Sequence, residues 1–190
     1  KSFTATMRFR VPTAPGSTKR LAALDTSSTA RQFRIEMLTS GRIQFTASVG
    51  GSANAVNLTT VNSYVGNSFP WVAVVVDRER REACLVTESE ELVAGMSGDV
   101  DTPSDSLIWG EGSFDTRLDC RFYNAALSVA ELRTRVERRD DDGEALAAYW
   151  PCEDGSGAIV TDTVGANDGG LTGTSGLDYF WEPSDLGNAE

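Results

Sequence analysis

The sequence predicts an all-β fold: an antiparallel β-sandwich of the jelly-roll type with one short α-helix near 128–137. Three observations carry this. The first residues alternate apolar and polar with a period of two, as a half-buried strand requires. Short β-branched and aromatic runs then recur at regular spacing between glycine-rich turns. Only one segment carries a helix-start signature.

Taken in order, Phe3, Ala5, Met7 and Phe9 alternate with Thr4, Thr6, Arg8 and Arg10 and form the first strand. Pro12–Thr18 reads as a loop. Leu21–Leu24, Gln32–Leu38 and Arg42–Val49 follow as strands, the last two joined by the hairpin loop Thr39–Ser40–Gly41. Trp71–Val76 is continuously apolar and β-branched, which suits a strand buried on both faces. Ala83–Thr87 returns beside it across the charged turn Asp77–Glu82, and Leu107–Gly110 and Leu118–Tyr123 complete the set. Ser128–Val129–Ala130–Glu131 is a capping box, with Leu127, Leu132 and Val136 as the buried stripe of a helix ending in Arg138–Arg139. The acidic run Asp140–Glu144 reads as part of an exposed linker, 139–145.

Composition removes several function classes. The 190 residues suit one domain, 1–190, with 40% hydrophobic and 24% charged residues. A formal charge of −11 (17 basic against 28 acidic residues) argues against nucleic acid, whose phosphates it would repel. The longest apolar stretch, around Trp71–Val76, is far short of a membrane span, so no membrane insertion is expected. KSFTATMRFR carries no signal-peptide core. There is no histidine, which rules out Ser–His–Asp and Cys–His catalysis and His-ligated metals. Cys84, Cys120 and Cys152 lack C-x-x-C spacing and read as reduced thiols in apolar settings.

The block GSFDTRLDCRFYNAALSVAEL, Gly112–Leu132, resembles the signature of laminin-G-like jelly rolls of the concanavalin A-like lectin/glucanase superfamily. In it a glycine-rich turn leads to an aromatic–Asn pair, then a small residue, Leu, Ser and a short helix with Glu. Here those are Phe122, Tyr123, Asn124, Ala126, Leu127, Ser128 and Glu131. FTATMRFRVP resembles the family's early strand, with Arg8 or Phe9 near its usual tryptophan. FPWVAVVVDRERREACLV and LIWGEGS resemble later strands.

The stretch LAAYWPCEDGSGAIVTD, Leu146–Asp162, resembles the same family's opening strand, although it stands near the end of this chain. Gly165–Gly169 matches the following Gly–Asn-rich turn, and Trp181–Glu182 the lead into the next segment. The parts therefore stand in circularly permuted order, with 1–138 as body and 146–190 as the strands that complete the sandwich. Two routes are open. The segment folds back beside Phe3–Phe9 within one chain, or it completes a neighbouring copy by swapping. The short linker favours the first.

Candidate chemistry is sparse. The resemblance to glucanases would imply Glu-x-Asp-x-x-Glu on one strand, which is absent, so no enzyme is expected. Glu88–Ser89–Glu90–Glu91 reads as a solvated turn, and Asp99, Asp101 and Asp105 as a polar loop. Asn57–Leu58–Thr59 has the form of a glycosylation sequon and reads as strand-edge chemistry. The family's rim calcium implies Asp162, Asn167 and Asp25 as Ca²⁺ ligands, against the alternative that Asp162 caps a turn through backbone amides. For glycans, Trp109, Tyr64, Phe69 and Tyr179 are candidate stacking platforms, against a packing role for each.

The expected function is a non-enzymatic binding or structural module. The tail YFWEPSDLG, Tyr179–Gly187, is similar to segments of bacteriophage jelly-roll proteins. It implies a virion surface protein (capsid decoration, head fibre or tail-associated), assembled in a host cytoplasm. Its partners would be other virion proteins or further copies of itself. The alternative is a free glycan-binding lectin or adhesion domain, extracellular or on a cell surface.

Overall fold

The computed structural model describes residues 2–25, 31–66, 68–100, 107–109, 119–138, 145–152 and 159–170. In chain order the elements are β1 (Phe3–Arg8), β2 (Lys19–Asp25), β3 (Arg31–Met37), β4 (Ile43–Val49), β5 (Ser52–Thr59), β6 (Trp71–Asp77) and β7 (Glu82–Thr87). There follow β8 (Glu91–Gly95), β9 (Leu107–Trp109), β10 (Asp119–Tyr123), α1 (Val129–Arg138), β11 (Leu146–Trp150), β12 (Ile159–Val160) and β13 (Gly169–Gly170). Two antiparallel sheets stack as a sandwich, in the orders β11-β10-β1-β6-β7-β8 and β5-β4-β3-β2-β9, and β12 pairs separately with β13.

The inner faces interdigitate as alternation dictates. Phe3, Ala5 and Met7 of β1, Val72, Val74 and Val76 of β6, and Cys120 of β10 meet Leu21, Phe33, Ile35, Met37, Ile43 and Phe45 of the second sheet. Phe3 stacks on Phe33 across the sandwich at 5.3 Å between ring centroids and on Phe122 within its own sheet at 5.5 Å. Burying each such side chain contributes about 1.5–3 kcal/mol before entropy is subtracted.

The six-stranded sheet is apolar on its outer face too. Trp71, Ala73, Val75, Val86, Tyr123, Leu146 and Tyr149 form a second cluster there with Leu127, Leu132 and Val136. Helix α1 covers this face. Its capping box is formed: Ser128 N–H donates to Glu131 Oε2 at 2.8 Å, and Glu131 N–H donates to Ser128 Oγ at 3.3 Å. Thr4 holds the approach to the helix, accepting from Leu127 N–H at 3.0 Å and donating to Ala125 O at 2.7 Å. Two arginines hold its far end, where helical carbonyls and the dipole favour cations. Arg8 Nη2 donates to Val136 O at 2.8 Å, and Arg121 Nη1 donates to Arg135 O at 3.1 Å. Arg121 is 1% exposed; its Nε pairs with Asp119 Oδ1 at 3.2 Å, and its guanidinium lies 4.5 Å from the Tyr149 ring centroid.

Three elements differ from the sequence reading. β5 and β8 are edge strands that alternation did not mark, because on β5 only Val56 is fully buried and β8 alternates exposed and half-buried residues. Glu91, read as turn, is the first residue of β8. β11 does not lie beside β1: both edges of β1 are taken by β6 and β10, so β11 adds to the outer edge of β10, with Cys120 opposite Trp150. The parts of the reading that fall on 101–106 (Asp101 and Asp105 among them), 110–118, 139–144, 153–158 and 171–190 lie outside the described residues.

Replacing Arg121 by Ala leaves Asp119 without its buried partner and removes one of the two arginine donors to the last turn of α1. Urea denaturation should show a loss of about 3–5 kcal/mol, the range for breaking a buried ion pair. A loss below about 1 kcal/mol would show that the guanidinium is not what holds the helix to the sheet.

Candidate glycan-binding face

The second sheet presents a different outer surface. Alternation that sends Phe33, Ile35, Phe45 and Ala47 inward sends Arg34, Glu36, Gln44 and Thr46 outward. The register aligns these residues in two rows across β2–β5. One row runs Arg20, Glu36, Gln44, Thr59, and the other runs Ala23, Arg34, Thr46, Asn57. Ala23 and Thr46 form a low, buried floor between half-buried longer side chains.

The groups on this face suit a polyhydroxylated ligand. Gln44 Nε2 donates to Asn57 Oδ1 at 3.1 Å and to Thr59 Oγ1 at 3.2 Å. These bonds fix the amides and leave Gln44 Oε1 as an acceptor and Asn57 Nδ2 as a donor, with the Thr46 hydroxyl beside them. Arg34 and Glu36 add an ion pair at 3.8 Å at one side. The signal stands in the sequence as the polar half of RQFRIEM and IQFTASV, which carries no aromatic residue.

The aromatic candidates are placed elsewhere. Trp109 packs against the inner core and lies 6.0 Å from Trp150 between ring centroids, so the two close one side of the sandwich where β9 and β11 are edges. Tyr64 is buried, and its hydroxyl sits 2.6 Å from Thr87 Oγ1, 3.0 Å from Ser89 Oγ and 3.0 Å from Glu90 Oε1. Phe69 is half-buried, with Arg10 over its ring at 5.9 Å. Tyr179 lies outside the described residues. Glu90, read as solvated, is the hub of this knot and also accepts from the amides of Val61 at 2.6 Å and Asn62 at 2.8 Å. Burial alone would raise its pKa; the amide donors and Tyr64 lower it instead.

Of the calcium candidates, Asp162 is 5% exposed and fully engaged by protein donors. Its Oδ1 accepts from the amides of Tyr149 at 2.9 Å, Val164 at 3.1 Å and Gly165 at 3.0 Å, and its Oδ2 from Asn167 N at 3.2 Å and Nδ2 at 3.3 Å. Five donors occupy the roughly four lone-pair sites of a carboxylate, which leaves none for a hard cation. Asn167 turns its amide nitrogen, not its oxygen, toward Asp162, as a hydrogen-bond partner does and a co-ligand does not. The side chain of Asp25 lies outside the described residues, among which no group of three or more Cys, Asp or Glu could hold a metal ion. The turn-capping alternative is the arrangement present, and it fastens the turn after β12 to β11. Trp150 Nε1 adds a bond to Asn167 O at 2.9 Å.

Burial acts to raise the Asp162 pKa, but the amides of Tyr149, Gly165, Val164 and Asn167 outweigh it and hold the carboxyl below its ordinary value. A folded-state value below the unfolded one makes a contribution that is complete above about pH 4. That contribution is lost as pH falls through the folded value. Asp162→Asn should therefore cost about 1–3 kcal/mol at neutral pH and flatten the acid limb of stability below about pH 4. Chemical denaturation across pH checks this, and an unchanged acid limb in the variant would refute it.

No protein-family profile matches the chain, and no curated protein matches it. Solved structures with the same fold do. A Bacteroides ovatus protein provisionally described as carbohydrate-binding aligns at a TM-score of 0.70 with 17% identity, over 90% of this chain and 52% of that one. The chain thus spans about half that neighbour's length. The CBM40 of the Ruminococcus gnavus IT-sialidase, bound to α2,3-sialyllactose, aligns at 0.55 with 14% identity, over 70% of this chain and 81% of that one. The heptameric SAP-like pentraxin of Limulus polyphemus aligns at 0.53 with 13% identity, over 93% and 85%. The fold is accordingly a lectin-like jelly-roll sandwich with a single helix among the described residues.

Proposed function

We propose that this chain is a non-catalytic glycan-binding module that uses the outer face of the five-stranded sheet. The observation that carries the reading is the fixed Gln44–Asn57–Thr59 constellation beside Thr46, Arg34 and Glu36, which offers donors and acceptors in adjacent cross-strand rows. Sugar hydroxyls both donate and accept, and such a surface matches them without deforming. Support comes from the structural neighbours, which include a carbohydrate-binding protein and a sialyllactose-bound module. The setting we infer is surface display on a virion, supported by the tail Tyr179–Gly187 and the net charge of −11. The order of the motifs supports a circularly permuted laminin-G-like arrangement.

A glycan array probed with the full chain should return bound oligosaccharides. Gln44→Ala should weaken the best of them about 3- to 10-fold, the worth of a neutral hydrogen bond, while keeping the parent unfolding midpoint, and Arg34→Ala should weaken them more. Binding that survives both substitutions, or an array with no hits, would reject this face as the site. Purified particles that lack the chain by mass spectrometry would reject the virion setting.

A further inference from the structure

Cys84, Cys120 and Cys152 all carry thiols. Cys120 lies on the inner face of β10, 1% exposed, in register with Trp150 of β11. Tyr149 turns its N–H and C=O away from β10, toward Asp162 and Thr163. Strand alternation therefore turns the Trp150 carbonyl toward β10. The Cys152 Sγ donates to that same carbonyl at 3.6 Å, so the thiol reaches back to the β10 side of the strand end. The backbone makes this possible. Cys152 has φ 56°, a left-handed conformation rare for a residue other than glycine, asparagine or aspartate, which departs from the extended backbone of β11 just after Pro151. Of these two thiols, Cys152 is half-buried and open to a reagent, whereas Cys120 is shielded from solvent.

We infer that Cys120 and Cys152 form an intramolecular disulfide when the chain meets a small-molecule disulfide oxidant, locking the end of β11 to β10. The Cys152 thiolate attacks one sulfur of the oxidant, giving a mixed disulfide and releasing one thiol. The Cys120 thiolate then attacks the Cys152 sulfur and expels the second thiol. Two cysteine thiols lose two electrons and two protons, and the oxidant gains them as two thiols. Cys84 takes no part. It lies on β7 between Val75 and Val93, on the opposite face of the sheet, with its thiol pKa pushed up to about 11 by burial and by Glu82 and Glu91. Burial raises the Cys120 thiol as well, which makes Cys152 the entry point.

The test treats the native full chain with glutathione disulfide at about pH 8, near an ordinary thiol pKa, then unfolds it in acidified denaturant, alkylates the remaining thiols and maps the peptides by mass without reduction. The expected product joins the Cys120 and Cys152 peptides, leaves Cys84 alkylated, and reverts with dithiothreitol. Under the same treatment Cys152→Ser should keep Cys120 and Cys84 alkylatable. Persistence of all three thiols, glutathione retained on Cys152, or a cross-linked dimer in place of the internal bridge would each overturn the inference.

Discussion

The six-stranded sheet is apolar on both faces, and this constrains everything else. β1 carries Phe3, Ala5 and Met7 to one side and the buried Thr4 and Thr6 to the other; β6 carries valines to both. A sheet of this kind is stable only when covered twice. The second sheet supplies one cover, and α1, reached through Leu127, supplies the other. Helix propensity cannot hold a ten-residue helix in place alone. The sheet therefore provides polar anchors at both ends: Thr4 at the entry, and Arg8 with Arg121 at the exit. Arg121 is the costly member. Its buried charge persists because Asp119, a helix-end carbonyl and the face of Tyr149 surround it. Burial acts to lower its pKa, and Asp119, Tyr149 and Tyr123 outweigh that and raise it.

This explains which parts of the fold were legible in the sequence. Strands with a strong burial asymmetry, or with none at all, wrote clear patterns: β1 and β4 alternate, β6 is continuous, and Ser128 with Glu131 marked the helix start. β5 and β8 are edge strands held by backbone ladders more than by their own side chains, so SANAVNLT and ELVAG carry no strand pattern, although Asn57–Leu58–Thr59 reads as strand-edge chemistry and Glu91 as turn. The family resemblance identified Leu146–Trp150 as a strand but not its partner. Which edge it joins depends on the occupancy of β1, a property of topology that no local pattern records.

The sites were harder to read for a related reason. Tyr64 and Trp109 stand in the sequence as candidate stacking platforms, and both sit where the sandwich closes its ends and edges. Tyr64 ties the segment after β5 to the β7–β8 turn through Glu90. Asp162 drew attention as a calcium ligand, and the same carboxylate chemistry serves five N–H donors instead. The informative residues were the unremarkable ones, Gln44, Thr46, Asn57 and Thr59. Their meaning appears only once register sets them in rows. One sheet has both faces committed to packing, and the other turns polar residues outward on the face we propose for recognition.

A recognition face of this composition has a definite energetic character. It offers amides, a hydroxyl and one ion pair, with no aromatic platform in either row. Each neutral hydrogen bond contributes a net of about 0.5–1.5 kcal/mol, because the sugar and the face both surrender water to form it. Three or four such bonds total about 4 kcal/mol, which corresponds to a dissociation constant near 1 mM. Rigidity helps, since Gln44 is already held by Asn57 and Thr59 and loses little freedom on binding. Even so, a single site of this kind holds a single sugar weakly. Many copies facing a glycan-coated surface raise avidity by 10²–10⁴ without any new contact. The proposed chemistry of the face and the proposed setting of surface display thus support each other: hydrogen-bond recognition without stacking becomes effective where the module is presented in number.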